Sequence, residues 1–110
     1  MAVAAFALPC GAQNERVARL DLQIENGRLM DSRKAIAVQR YDRVEINWRA
    51  DRRTTLHLHG YDIEITTGPD KPEAMTFIAH ATGRFAIEIH TSGEGKSHHA
   101  VLIYLEVHPR

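Results

Sequence analysis

Apolar and polar side chains alternate along most of this chain, beginning at Val17. Leu20, Leu22 and Ile24 are interleaved with Arg19, Asp21, Gln23 and Glu25, and the run stops at Asn26-Gly27, a pair that takes positive φ at little cost. Successive side chains of a strand point to opposite faces, so this period marks a strand with one face buried. Ile36 and Val38 predict a short strand before Arg40-Tyr41-Asp42. Val44, Ile46 and Trp48 alternate with Glu45, Asn47 and Arg49 in the next, and Asp51-Arg52-Arg53 turns the chain. Leu56 and Leu58 follow, with His57 and His59 between them. Ile63 and Ile65 come after Gly60-Tyr61, and Gly68-Pro69 with Pro72 marks a loop. Met75, Phe77 and Ala79 form another strand, and Phe85, Ile87 and Ile89 one more after Thr82-Gly83. Ser92 to Ser97 reads as a polar, glycine-containing loop before a last strand from Val101 to Val107. No segment carries the period of a helix.

Seven or eight short strands with turn signals every 8 to 12 positions predict an all-β fold, an antiparallel Greek-key β-sandwich whose two inner faces share one core; a β-barrel is the runner-up. Trp48 and Phe85 read as core aromatics and Met75 as a core residue in strand alternation. Residues 1–12 break the pattern. Met1 to Cys10 carries no charge and gives way to a polar stretch, as the apolar part of an export signal does, although a positive start is missing. The expected division is a remnant export signal or lipoprotein-like leader over residues 1–12 and one domain over 13–110, with Gln13 as the mature start. Cys10 also suits lipid anchoring, from which Pro9 departs. Export implies a periplasmic or otherwise extracytoplasmic location.

Composition narrows the function classes. Fourteen Lys and Arg balance fourteen Asp and Glu in 110 residues, so there is no electrostatic footprint for nucleic acid. No run of 18 apolar residues predicts a transmembrane span. Residues 13–110 far exceed the roughly 40 below which small domains usually need staples, so a metal here would serve function rather than folding. Neither a GxSxG elbow nor a P-loop nor HExxH occurs, and no enzyme activity is expected. The acidic residues Glu45, Glu64, Glu88 and Asp62 read as solvated strand positions. Asp62 has the further option of holding its turn or orienting a histidine.

Histidine is the skewed count, at seven residues, against a single cysteine. A metal site in the body of the domain therefore relies on nitrogen and oxygen. Residues i and i+2 of a strand project from one face about 7 Å apart, so His57 and His59 lean toward one ion if a neighbouring strand supplies a third ligand. Neutral imidazole suits Cu(II), Zn(II) and Ni(II), and the Irving–Williams order favours copper among them. Binding should weaken below the ordinary imidazole pKa of about 6.5. The bland alternative follows from the same parity: with Leu56 and Leu58 facing the core, His57 and His59 face solvent, and His90 lies opposite Ile89. Convergence at one end of the sandwich then requires Gly60 to mark a bulge that re-aims His59.

The segments LHLHGYD, ATGRFAIEIH and AVLIYLEV, in that order, resemble the cupredoxins, and in particular small exported cupredoxin-like proteins carrying HxHGYD; the resemblance covers about residues 17–108. It implies a copper-binding fold in which His59 stands at the first copper histidine and Gly83-Arg84-Phe85 begins the strand leading into a ligand loop, Ile89 to Ala100. The chain departs from the pattern there: Ile89 falls where cysteine is expected and Ala100 near the methionine. A blue-copper centre is thereby excluded for want of its thiolate. His90, with His98 or His99 near the loop histidine, remains to join His59 and His57. The expectation is thus a cupredoxin-like protein that binds copper through His57, His59, His90, His98 and His99 in periplasmic metal handling. The alternative is a metal-free module that presents loops or an edge strand to another envelope protein.

Overall fold

The computed structural model describes the backbone of residues 16–93 and 96–110, and the side chains of all these except 91–93 and 96–98. The expected leader, Cys10 and Gln13 lie outside the described residues, as does the side chain of His98.

Nine strands occur among the described residues: β1 (Val17–Glu25), β2 (Arg28–Leu29), β3 (Ala35–Gln39), β4 (Arg43–Ala50), β5 (Thr54–Leu58), β6 (Ile63–Thr67), β7 (Glu73–Ile78), β8 (Gly83–Gly93) and β9 (Lys96–His108). They form a four-stranded sheet in the order β2-β1-β4-β7 and a five-stranded sheet in the order β3-β9-β8-β5-β6. The count exceeds expectation because the two-residue β2 is closed against β1 by Asn26-Gly27, both at positive φ (53° and 76°). The sandwich is antiparallel in most pairings, but β1 with β4 and β3 with β9 run parallel. Such neighbours are joined by crossovers from one sheet to the other, a feature that alternation within a single strand does not encode.

The core follows the alternation. Leu22, Ile24, Val44, Ile46, Trp48, Met75 and Phe77 from one sheet meet Ile36, Val38, Leu56, Leu58, Ile87, Ile89, Ile103, Leu105 and Val107 from the other, all buried. Each such side chain contributes about 1.5–3 kcal/mol relative to exposure, so the inner faces fix the register of both sheets. Phe85 is half-buried against the edge of this core. Asp42, read only as a turn residue, is buried; its carboxylate accepts from the Gln39 backbone N–H (2.9 Å) and lies 3.3 Å from Arg110 Nη2, tying the β3–β4 turn to the end of the chain.

Two departures from the expected strand plan position the site. Within the stretch expected as a loop from Ser92 to Ser97, the described residues continue the β8–β9 ladder, with Ser92 opposite Ser97 and Gly93 opposite Lys96. The described part of the expected ligand loop is instead paired antiparallel strand. The bulge is also displaced: Ile87 pairs with Ile103 and Glu88 with Val101, so one extra residue sits on β9, whereas Gly60 belongs to an ordinary turn between β5 and β6. A one-residue insertion reverses the side-chain parity beyond it. Val101, which shares the odd parity of buried Ile103, is exposed for this reason.

A histidine and glutamate cluster on the five-stranded sheet

The cluster is assembled by three adjacent strands. On β8, Glu88 and His90 have the parity opposite to buried Ile87 and Ile89 and so face outward. On β5, His57 lies directly opposite Glu88, and Thr55 opposite His90. On β9, His99 lies directly opposite His90. Its odd number matches buried Ile103, Leu105 and Val107, and only the bulge between them turns it to the outer face. His59 follows β5 and is fixed beside β8 by its backbone N–H, which donates to Ala86 O at 2.9 Å.

The turn His59–Asp62 aims His59. Gly60 has φ +86°, and a Cβ there would stand 2.3 Å from Cδ1 of Phe85. Glycine therefore meets both a backbone and a packing requirement. Tyr61 anchors the turn on the opposite side: its hydroxyl donates to Ala81 O (2.8 Å) and accepts from Ala81 N–H (3.0 Å), while its ring packs on Phe77, His80 and Phe85. Asp62 is left-handed at φ 58°, and its fully exposed carboxylate stands 3.6 Å from His57 Nε2.

Glu88 is the centre of the arrangement. Its Oε1 is 3.0 Å from His59 Nε2 and 3.8 Å from His90 Nε2, and His90 Nε2 is 3.2 Å from His99 Nδ1. The donor atoms of Glu88, His90 and His99 all lie within 4.8 Å of one another. Two ligands each about 2.1 Å from one ion at the tetrahedral angle are about 3.4 Å apart, and the observed 3.2 and 3.8 Å bracket that value. Two imidazole nitrogens facing each other at hydrogen-bond distance share one proton, and a cation with two open lone-pair acceptors is the natural replacement for it. The His59–Glu88 contact has hydrogen-bond distance but not hydrogen-bond alignment, and His59 Nε2 is buried at the atom without a partner of acceptable angle. It acts as an ion contact when the ring carries a proton. The His59 imidazole, the nearest donor, holds the Glu88 carboxyl below the usual carboxylate range; burial opposes this, and the charges of His59, His90 and His99 add to it.

The structure thus brings together His57, His59, His90 and His99, with ring centroids 4.3 Å apart for His57–His59 and 4.1 Å for His90–His99. They meet on the outer face of the sheet rather than at an end of the sandwich. His98 is placed only by its backbone, opposite Thr91. His80 lies against Tyr61, and His108 lies 3.4 Å from Glu106, both apart from the cluster. Glu88 was read as a solvated position; its i, i+2 relation to His90 was visible, but its place opposite His57 depends on register between strands, which one sequence does not display. As a metal site the donors fit nitrogen–oxygen coordination: two imidazoles and a carboxylate suit Cu(II) or Zn(II), and no sulfur is present among them for a copper–thiolate bond.

The two-sheet architecture is that of a cupredoxin-like fold. A chain of a heme-copper terminal oxidase superposes on it with a TM-score of 0.58 at 14% identity, covering 77% of this chain and 64% of the other. The copper nitrite reductase from Nitrosomonas europaea gives 0.56 at 14%, covering 86% and 42%, and the multicopper oxidase mgLAC gives 0.58 at 19%, covering 87% and 39%. Identities this low establish the fold alone, and the chain spans from about two fifths to under two thirds of the length of these neighbours. No protein-family model and no curated protein sequence matches the chain.

Proposed function

We propose that this chain is an exported cupredoxin-like protein that binds a divalent transition ion, copper in the first place, on the outer face of its five-stranded sheet, and serves periplasmic metal handling rather than catalysis. The observation that carries this reading is the convergence of Glu88, His90 and His99, three ligands from two strands with donor atoms within 4.8 Å. Copper proteins among the structural neighbours favour copper, and the Irving–Williams order favours it at any nitrogen–oxygen site. Carriage rather than turnover is favoured by position. His99 is exposed and Glu88 and His90 are half-buried on an open sheet face, where a receiving protein has access, whereas catalytic sites are concave and exclude water.

In this role the imidazoles supply neutral nitrogen ligands, Glu88 supplies the negative charge that offsets the ion, and the Tyr61 anchor keeps the β5–β6 turn from swinging His59 away. Titration of the full chain with Cu(II), followed by visible absorption and histidine NMR shifts, tests the proposal. Saturable binding that shifts His90 and His99 supports it. Absence of saturable binding would overturn it and leave the metal-free envelope-protein module as the better reading.

A further inference from the structure

The three-ligand group does not exhaust the cluster. His57 and His59 fall outside the set whose donors lie within 4.8 Å of one another, yet both adjoin Glu88: His57 is its cross-strand partner and His59 Nε2 is 3.0 Å from its Oε1. The register orders the outer face in rows. Thr55, His90 and His99 form one row, His57 and Glu88 the next, and His59 with Ala86 the third. Alternate residues on a strand are spaced about 6.5–7 Å apart, so the first and third rows are separated by about 13 Å of backbone. Glu88 adjoins both imidazole pairs: His57 faces it in its own row with His59 in the next, and His90 with His99 fill the row on the other side, the His57 and His90 ring centroids lying 6.4 Å apart.

A single ion holds its ligands about 2.1 Å from its centre, and the set of donors mutually within 4.8 Å leaves out His57 and His59, so an ion seated there does not serve both pairs, and a second ion would draw the His57 and His59 rings in toward Glu88. A carboxylate offers two oxygens with about four lone-pair directions, and the central position of Glu88 places it within reach of both. We propose that the cluster takes two divalent transition ions, one held by Glu88, His90 and His99 and the other by His57, His59 and Glu88, with the Glu88 carboxylate as the bridge. Two observations beyond the three-ligand group support the second position. His59 Nε2 is a buried nitrogen without a hydrogen-bond partner, 3.0 Å from the shared carboxylate. Asp62 presents a fully exposed carboxylate 3.6 Å from His57 Nε2, a ready terminal ligand whose second charge offsets the second ion. The inference rests on the metal-binding reading above and deepens it by fixing stoichiometry and ligand partition.

The test is a titration of the full chain with Cu(II), with bound copper counted by native mass spectrometry and the spins observed by EPR at one and two equivalents. Two equivalents should bind, and the second should diminish the normal Cu(II) signal through coupling across the shared carboxylate. Replacing His57 and His59 together with alanine should halve the stoichiometry and restore an uncoupled signal; replacing His90 and His99 together should do the same. Glu88→Gln, nearly identical in shape, should abolish the coupling while circular dichroism stays unchanged. Saturation of the unmodified chain at one equivalent overturns this inference and leaves the metal-binding function standing. So does the binding of two equivalents whose full signal is indifferent to Glu88→Gln. No binding at all overturns both.

Discussion

On the outer face of the four-stranded sheet, Glu45 accepts from Arg19 Nε at 3.1 Å and lies 3.4 Å from Arg43 Nε, and Asp21 accepts from the Asn47 amide at 3.0 Å. On the outer face of the five-stranded sheet, Glu88 has imidazoles around it instead. Both faces are polar strips on an alternating backbone, and composition hardly separates them. The distinction lies in the partners. Guanidinium groups and the amide NH2 keep their protons at any physiological pH and offer no lone pair to a cation. Imidazoles give up the proton and offer a ligand nitrogen in its place. One face is closed by its own charges, and the other is open to an ion.

The largest expected break is in the turn that gives the second face its histidine. Gly60→Ala combines positive φ with a 2.3 Å approach to the Phe85 ring and should cost about 2–4 kcal/mol. Gly27→Ala, also at positive φ but with nothing within 4 Å of the added Cβ, should cost about 1 kcal/mol. Urea unfolding of the two variants makes the comparison. Equal losses would show that Phe85 gives way and that the turn does not depend on the close approach.

His90→Ala removes a nitrogen that faces both Glu88 and His99. Cu(II) affinity should fall by at least about 100-fold, the upper range for loss of a mere supporting partner of a ligand, or about 2.8 kcal/mol at about 1.4 kcal/mol per tenfold. Stability should change by less than about 0.5 kcal/mol, since the side chain is not part of the core. Arg43→Ala on the other face should leave copper affinity unchanged. Calorimetric titration of the two variants reads the contrast directly, and equal losses would erase it.

How much of this was written in the sequence depends on the interaction that fixes each part. Burial selects for parity, so Leu56 and Leu58, Ile87 and Ile89, and the core role of Trp48 could be read from alternation within one strand. Convergence of histidines depends on pairing between strands. His90 and His99 are partners because β8 and β9 stay paired as far as Gly93 and Lys96, inside a stretch that looked like loop, and because a bulge beside Leu102 reverses the parity of His99. Glu88 was passed over because nothing in IEIH names His57 as its neighbour. The Gly60 signal was real but misassigned: its requirement comes from the Phe85 ring, a contact 25 positions away, and not from a bulge in β5.

Acidification sharpens the comparison next. Protons compete with the ion for imidazole lone pairs, so Cu(II) affinity should fall as pH is lowered. Glu88 supplies a metal-free readout. Its folded-state pKa is depressed by His59 and, more weakly, by the neighbouring histidine charges; the folded chain thus takes up this proton less readily than the unfolded one. The associated stabilisation is present above the ordinary carboxylate pKa and is lost as pH falls through the lower folded value. Carboxyl carbon shifts followed through an acid titration should show Glu88 titrating below the ordinary range, and His59→Ala should move it upward. An unmoved Glu88 in that variant would mean that His59 is not its controlling neighbour.

The smallest effect belongs to the closed face. Arg19→Ala removes the 3.1 Å contact to Glu45, but Arg43 remains 3.4 Å from the other carboxylate oxygen, so Glu45 keeps a cation. Arg19 is itself well exposed, with 69% of its side chain accessible, and exposed pairs are worth roughly 0–1 kcal/mol because water and salt screen them. The expected loss is at most about 0.5 kcal/mol, shrinking further as salt is added. Unfolding midpoints at low and high ionic strength measure it. A loss above about 1 kcal/mol that resists salt would mean that the Arg19 stem, rather than its charge, holds β1 against β4, and the closed face would then owe its order to packing instead of ion pairing.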